Sequence, residues 1–296
     1  MIKNYLLTAF RHLASQKAYG LINILGLSIG MTAVILIGIL ARANFKIDRW
    51  HENADRLCQV LMEVDTPGSD RYVTDRTDGP LAAALEADYP EVEKAVRIGR
   101  TWLWVQHGDR GFEERVMVAE PEFFDLFDFE GINCDPKTIL QTPYSILITE
   151  KMVTKFFPDE DPIGKTLVLD GVDIRGEYTV GGIMKDPRYS SISFSFVIST
   201  VPSADSVGEW ADQWHPGAQH RHFGTWVLLR EGVTAKELEP KIQDSIERYL
   251  GPADAKKHSY HLQPLERAYL YWGQDYTASG VGEIERLITY LTVSGF

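Results

Sequence analysis

The sequence predicts an α+β protein: one N-terminal transmembrane helix followed by a larger two-lobed domain. Three observations lead to this prediction. The 21 residues from Leu21 to Ala41 carry no charge. All 42 acidic side chains follow residue 41, whereas only three of the 30 basic side chains precede it, and the net charge is −12. Finally, two β-α-β patterns lie far apart in the acidic part. The acidic balance argues against a general nucleic-acid binder, so no nucleic acid is expected as a partner.

The apolar run is long enough to cross a membrane. As a helix, 21 residues span about 31 Å, which matches the hydrocarbon core of a bilayer. We therefore predict a transmembrane helix over residues 18–42. A cleaved signal peptide is the alternative, since Ala41-Arg42-Ala43 supplies an A-x-A site, but a signal h-region is shorter. The long acidic part is interpreted as exported, which leaves the N-terminus in the cytoplasm.

Two small residues within this helix, Gly26 and Gly30, form a G-x-x-x-G pattern that predicts a groove for close helix packing. Ordinary glycine use in membrane helices is the alternative. The same segment also matches the G-x-S-x-G motif of hydrolases through Ser28. That motif requires a strand, a strained turn and an exposed serine, so we reject a hydrolase site here.

Residues 1–17 show apolar side chains at helical spacing and basic side chains away from that stripe. This pattern predicts a cytoplasmic amphipathic helix whose cations, Lys3, Arg11 and Lys17, lie near anionic lipid. A simple extension of the spanning helix remains the alternative.

The two β-α-β patterns predict one ferredoxin-like lobe whose halves are separated in sequence. The first has strands at 57–64 and 92–105, joined by a helix that begins after Asp78, the predicted N-cap. The second has strands at 224–229 and 260–265. Its helix starts at a capping box, Thr234 to Glu237, and carries one continuous apolar stripe.

A second lobe is expected between these halves, at about residues 112–215. It contains two short helices, one after Pro121 with buried phenylalanines and one after Thr149. Strands at 166–169 and 178–183 flank a turn at Asp170-Gly171, and a further strand covers 194–199.

Several segments together resemble a known family. The stretch FKIDRWHENADRLCQV that follows the apolar run resembles the start of a MacB-like (FtsX-like) ABC transporter permease. EPEFFDLFDFE (120–130), ITEKMVTKFFPDEDPIGKTLVLDG (148–171) and YTVGGIMKD (178–186) are similar to its periplasmic core domain. The resemblance implies a core domain at 43–281, with a porter lobe at 43–111 and 216–281 and an inserted Sabre-like lobe at 112–215. It also implies that 282–296 begin a second, truncated transmembrane helix of a longer permease; a complete protein with an amphipathic C-terminal helix is the alternative.

The resemblance further implies a non-catalytic permease of the cell inner membrane, with its bulk in the periplasm. It implies a cytoplasmic ABC ATPase subunit as partner, which binds ATP and Mg, and a second permease half or chain that forms a dimer. A periplasmic or outer-membrane partner is also implied. The cargo would be a peptide, a lipoprotein or an antimicrobial compound. A membrane-anchored binding or sensor module without transport activity is the alternative.

No catalytic, cofactor-binding or metal-binding residues are predicted in this chain. Gly164-Lys165-Thr166 lacks the earlier glycine of a P-loop. The histidines near 215–222 and 258–261 indicate hydrogen-bonded loops rather than a zinc site. The acids at 120–128 are interpreted as the solvated side of a helix.

Core packing is expected for the tryptophans, with an aromatic docking surface as the alternative. Pairing of Cys58 with Cys134 stays open.

Overall fold

An unbroken helix, α1 (Lys17–Asn44), forms the apolar segment in the computed structural model. The structure describes residues 17–44, 47–65, 68, 71–172, 174–200, 212–216 and 222–268. The residues divide into two units, Met1–Lys46 and Ile47–Phe296. In the first unit, Gly20–Ile39 are long and apolar enough to cross a membrane, with a mean hydropathy of 2.2. The predictions for 1–16 and 282–296, including Lys3 and Arg11, lie outside the described residues.

The second unit alternates strands with short helices. Its elements in chain order are β1 (Leu57–Val64), β2 (Tyr72–Thr74), α2 (Leu81–Asp88), β3 (Val92–His107), β4 (Arg110–Ala119), α3 (Phe123–Leu126), β5 (Gly131–Ile132), α4 (Pro136–Leu140), β6 (Ser145–Thr149), α5 (Glu150–Phe156), β7 (Thr166–Asp170), β8 (Arg175–Met184), β9 (Phe196–Ser199), β10 (Phe223–Leu229), α6 (Ala235–Ile242), α7 (Asp244–Leu250), α8 (Pro252–Ala255), β11 (His258–Pro264) and α9 (Leu265–Ala268).

The predicted ferredoxin-like lobe is present. Its four strands lie in the order β11-β1-β10-β3, with antiparallel neighbours throughout. Counted along the chain these are strands four, one, three and two, which is the order of a split β-α-β fold. The helices α2, α6 and α7 cover one face through buried leucines and isoleucines, among them Leu85, Leu238 and Ile246.

The inserted lobe is a closed barrel. Hydrogen-bonded pairs join β3 to β4, β4 to β9, β9 to β6, β6 to β8, β8 to β7 and β7 back to β3. Side chains that alternate along these strands fill the interior, including Val105, Val116, Ile148 and Leu169, and Phe156 from α5 joins them. Because β3 pairs with β10 at one end and with β7 at the other, the barrel begins within β3, before residue 112.

A second apolar cluster connects the two lobes. It contains Trp226 from the ferredoxin-like lobe together with Phe127 and Leu147 from the insertion, and all three are buried. Phe127 packs edge-on against Trp226, with ring centroids 5.3 Å apart. One continuous sheet and this shared core therefore bind the lobes together in the second unit.

Two local predictions were wrong. The N-cap of α2 is Pro80, not Asp78, whose carboxylate instead accepts the backbone N–H of His215. The single helix expected after Thr234 is split at Gln243 into α6 and α7. The Gln243 side chain donates to the carbonyl of Glu239, four residues earlier, and bonds both backbone groups of Tyr260 in the edge strand. The capping box at Thr234 is confirmed.

Candidate functional site: the junction that follows the membrane helix

The chain enters the second unit through residues 47–57, which form consecutive turns before β1. Every third residue of this segment is buried: Asp48 is 1% exposed, His51 3%, Ala54 7% and Leu57 0%. A repeat of about three is the period of a helical turn, so one side of the segment faces the protein. We call this segment, with its partners at 127–129 and 189–192, the junction.

Asp48 binds the inserted lobe through its buried carboxylate. Ser190 Oγ donates to Asp48 Oδ1 at 2.8 Å, and the backbone N–H of Ser191 lies 2.9 and 3.1 Å from the two carboxylate oxygens. The backbone N–H of Asp48 donates in turn to the carbonyl of Tyr189 at 2.8 Å. Asp48 has a φ of 61°, in the left-handed region that Asp and Asn tolerate better than most residues. The residue is thus held by charge-assisted hydrogen bonds.

His51 lies in an aromatic pocket. Its ring centroid is 3.8 Å from that of Trp50 and 5.3 Å from those of Phe127 and Phe129. Nδ1 accepts the backbone N–H of Asp128 at 3.0 Å, which places the proton of the neutral ring on Nε2. Burial lowers the pKa of His51 below its usual value, although the carboxylates of Asp48 and Asp128 act in the opposite direction. The junction therefore favours a neutral His51.

Two further bonds connect Trp50 and Glu52 to the inserted lobe. Glu52 donates its backbone N–H to Asp128 Oδ2 at 2.8 Å, and Trp50 Nε1 donates to the carbonyl of Tyr189 at 3.1 Å. Beside Trp50 lies a cleft of about 330 Å³, lined by Phe129, by the basic side chains Lys185 and Arg188, and by the acidic side chains Asp128, Glu130, Glu150 and Asp186. The cleft is therefore contiguous with the junction.

The last part of the junction contacts the ferredoxin-like lobe. Arg56 donates to Glu93 at 2.7 Å and to the carbonyl of Leu229 at 2.9 Å, and it also bonds Asn53 at 2.6 Å. Between Asp48 and Arg56 the chain is therefore bonded to both lobes. The two lobes that this segment contacts share one sheet.

The other end of the described domain reaches the same place. Leu265 and Ala268 of α9 are buried in the apolar cluster that also contains Ala54 and Leu57 of the junction. Because β11 pairs with β1 along its length, the first and last segments of the domain are neighbours.

The predicted helix-packing glycines, Gly26 and Gly30, lie within α1. A Cβ added at either position meets nothing within 4 Å, so both present open surface in this unit. Ser28 Oγ donates to the carbonyl of Ile24 at 2.7 Å inside the unbroken helix, which leaves no nucleophile elbow. Lys17, predicted near lipid, is the first residue of α1.

The rejected phosphate loop is a turn in the structure. Gly164 has a φ of 76°, and the strand β7 starts two residues later. The Lys165 ammonium pairs with Glu160 at 2.6 Å rather than being available for a phosphate.

The acids at 120–128 are more engaged than the predicted solvated side of a helix. Glu120 pairs with Arg97, and burial raises the pKa of Glu120 in spite of this pair. Asp125 pairs with Lys94 and Lys137, each at 2.7 Å, while Asp128 belongs to the junction. Their partners are basic groups or backbone N–H groups, which indicates structural roles.

The histidines likewise have protein partners. His261 lies between two carboxylates, 3.1 Å from Glu239 and 3.2 Å from Glu63, and His258 pairs with Asp254. In the described part of the chain no three His, Cys, Asp or Glu side chains come together as metal ligands. His220 lies outside the described residues.

The pairing of Cys58 with Cys134, which the sequence left open, is not present in the structure. Cys58 and Cys134 are both free thiols, and burial raises the pKa of Cys58 to about 12.

The expected core packing is wrong for Trp102 and Trp104, which are 57% and 48% exposed, because the inner face of β3 is occupied by Leu103 and Val105. Trp210 lies outside the described residues.

The sequence interpretation missed the junction, because the acids and His51 suggested a polar connector. The available signal was the three-residue spacing of Asp48, His51, Ala54 and Leu57. Asp is almost never fully buried unless it is paired, and His is intermediate in burial, so residue type alone did not indicate a buried segment.

Comparisons with known proteins agree with this architecture. A family model described as the MacB-like periplasmic core domain matches residues 21–245. A crystal structure of a domain of a permease protein from Porphyromonas gingivalis is similar at 25% identity and a TM-score of 0.61, covering 73% of this chain and 92% of that one. No curated protein matches the sequence.

Two further solved structures are similar at 12% identity. The extracellular domain of the noncanonic ABC-type transporter YknZ from Gram-positive bacteria has a TM-score of 0.50, with 70% of this chain and 99% of that one covered. The periplasmic region of MacB from Actinobacillus actinomycetemcomitans has a TM-score of 0.47, with 75% and 91% covered. The family match spans most of the sequence, and this chain therefore belongs to the MacB-like periplasmic core domain family of ABC transporter permeases.

Proposed function

We propose that this chain is a permease component that transmits force from a separate cytoplasmic ATPase to its periplasmic domain. In this proposal α1 crosses the inner membrane with its N-terminus in the cytoplasm, and residues 43–281 move in the periplasm. A second permease half or chain completes a dimer. Movement of the domain serves the export or extraction of a peptide, lipoprotein or antimicrobial cargo, with a periplasmic or outer-membrane protein as a further partner.

The junction is the observation that carries this proposal. A flexible linker between helix and domain would absorb a displacement of the helix. Here the segment after α1 is bonded to the insertion through Asp48 and His51 and to the ferredoxin-like lobe through Arg56. Buried, charge-assisted bonds resist separation more than exposed pairs do. The junction therefore supports transmission of a displacement to both lobes.

The chemistry of the reaction is assigned to the partner. The ATPase subunit would bind ATP and Mg, because Gly164-Lys165-Thr166 lacks the earlier glycine of a P-loop and its lysine pairs with Glu160. This chain would contribute no catalytic side chain to hydrolysis. Its task in the proposal is mechanical: it holds the domain to the membrane helix and orients it.

Purification from native membranes tests the proposal. A tag on the native gene product should recover a stoichiometric ATPase whose hydrolysis rate, in lipid nanodiscs, changes by at least severalfold when this chain is left out. Recovery of the chain without any ATPase, together with ligand binding by the domain alone, would instead identify a membrane-anchored binding or sensor module.

A further inference from the structure

The junction carries an exposed surface as well as buried bonds. Trp50 is 41% exposed and Tyr189 is 60% exposed, and Arg49 and Arg188 beside them are also exposed. We propose that these four residues, which we call the headgroup patch, rest on the phospholipid headgroups of the leaflet into which α1 emerges. The proposal rests on α1 being membrane-spanning, as in the proposed function.

In the headgroup patch, the Trp50 ring and the Tyr189 backbone have defined partners. Trp50 Nε1 donates to the carbonyl of Tyr189, and the Trp50 ring packs edge-on against Phe129 at 5.3 Å. Tyr189 has a φ of 53°, an uncommon conformation for a large side chain, and its carbonyl accepts a second bond from Asp48. These contacts hold the Trp50 ring and the Tyr189 backbone, and both side chains are exposed. Trp and Tyr are enriched where proteins meet headgroups, because each ring has an apolar body and a polar tip.

The charge of the patch suits an anionic surface. Across the residues that the structure describes, neither Arg49 nor Arg188 has an acidic partner, whereas nearby Lys185 pairs with Glu130. The chain as a whole has a net charge of −12, and carboxylates line the cleft that contains Arg188. Arg49 and Arg188 are thus the cations of the patch that stay available to an anionic surface, since no acidic side chain among the described residues pairs with them. A basic side chain close to anionic headgroups is attracted to them within about a Debye length.

Chain length places this patch within reach of the bilayer. The apolar span ends at Ile39, and α1 continues for five more residues at about 1.5 Å each. The next five residues, to Arg49, span at most about 18 Å when fully extended, so Arg49 lies at most about 26 Å from the end of the span. Tyr189 is hydrogen-bonded to Asp48 and Trp50, so a similar upper limit applies to its distance from the membrane span. Trp102 and Trp104 are comparably exposed but belong to the barrel, without such a constraint from the chain. Lipid is therefore the occupant that chain order and charge favour for the headgroup patch.

Fluorescence quenching of the full chain in nanodiscs tests the proposal. The emission of Trp50 is isolated as the difference between the native chain and its Trp50→Phe variant, and that of Trp102 is obtained in the same way with Trp102→Phe. When the lipid headgroups carry a nitroxide, we expect the Trp50 difference to fall at least twofold and the Trp102 difference to stay unchanged. Equal quenching of the two, or an unquenched Trp50, would overturn the proposal.

A second arm tests the cations. In discs that contain anionic lipid, the Arg49→Gln/Arg188→Gln double variant should reduce Trp50 quenching to the level seen in zwitterionic discs. The charge-matched control Lys236→Gln/Lys256→Gln, at exposed positions in the ferredoxin-like lobe, should leave it unchanged. An equal loss in both double variants would contradict the assigned role of the arginines. An unquenched Trp50 in a chain that still purifies with its ATPase would refute the headgroup patch alone.

Discussion

The carboxylate of Asp48 accepts the backbone N–H of Ser191 across 143 residues of chain. Asp48 is the first buried residue after the membrane helix among those described, and Ser191 belongs to the loop before β9. The bond joins the start of the domain to the inserted lobe. It is the contact through which, in our account, a movement of the helix first reaches the periplasmic domain.

Removal of this carboxylate should weaken the junction. We expect Asp48→Ala to lower the free energy of unfolding by about 2–3 kcal/mol, because it leaves the Ser191 N–H unpaired and puts Ala at a positive φ. Asp48→Asn keeps one acceptor and tolerates the backbone conformation, so its loss should be about half as large. Urea unfolding of the two variants measures the difference, and equal stabilities would contradict the assigned bond.

The buried His51 should make the junction sensitive to acid. Burial lowers its pKa in the folded protein, so the unfolded state binds the proton more readily. Stability should therefore fall as the pH drops below the unfolded value of about 6.5 and level off below the folded pKa. His51→Asn keeps an acceptor for the Asp128 N–H but does not titrate. Its unfolding free energy should lack this pH-dependent component; an unchanged pH profile would show that another group is responsible.

His261 should have the opposite dependence. Burial opposes its charge, but hydrogen bonds to Glu239 and Glu63 raise its pKa above the usual value; Glu63, only 4% exposed, is also paired with Arg71. The resulting stabilisation is present below the unfolded pKa and is lost as the pH rises through the folded one. Titration of the two imidazole Cε1–H signals by NMR should give His261 above 6.5 and His51 below it. His261→Gln should abolish the loss of stability that accompanies rising pH. If that loss persists, the bonds of His261 to Glu239 and Glu63 are not its cause.

Phe127 should be a large contributor to the shared core. Its ring is fully buried, stacks on Phe123 at 4.8 Å and meets both His51 and Trp226 edge-on. Phe127→Ala should cost about 3–5 kcal/mol, the usual range for a buried phenylalanine. Phe112→Ala, at a partly exposed position on β4, should cost much less. Calorimetry of both variants provides the comparison, and similar losses would mean that the two rings are equally important.

The sequence predicted most of the strands because their periodicity is strong. β1 was expected at 57–64 and lies at Leu57–Val64, and the strand expected at 224–229 is β10, Phe223–Leu229. The ferredoxin-like order followed from two β-α-β units, whose connections leave few topologies. Closure of the barrel was not predictable, because it depends on the pairing of β7 with the end of β3, sixty or so residues away.

The functional region was harder to predict than the fold. Helical stripes and alternating strands report burial of apolar residues, whereas the junction buries Asp48 and His51, whose partners come from distant loops. Trp102 and Trp104 show the reverse case, large aromatic side chains that are exposed. Their size suggested core packing, but in the register of β3 the inner face is occupied by Leu103 and Val105. At the split at Gln243, the side chain bonds Tyr260 of β11, a partner that is distant in sequence, while Pro240 within α6 is a local signal that weakens the helix.

The most direct test of force transmission is a distance measurement during nucleotide turnover. A dye on Val172→Cys, at a position that is 99% exposed in the barrel, would report energy transfer to an acceptor in the outer leaflet. Cys134→Ser removes the more accessible native thiol, since Cys58 is buried. With the partner ATPase present, we predict a transfer efficiency that differs between ATP-trapped and ADP states, and loss of that difference in Asp48→Ala while hydrolysis continues. A nucleotide-independent efficiency, or a full response in Asp48→Ala, would contradict the account.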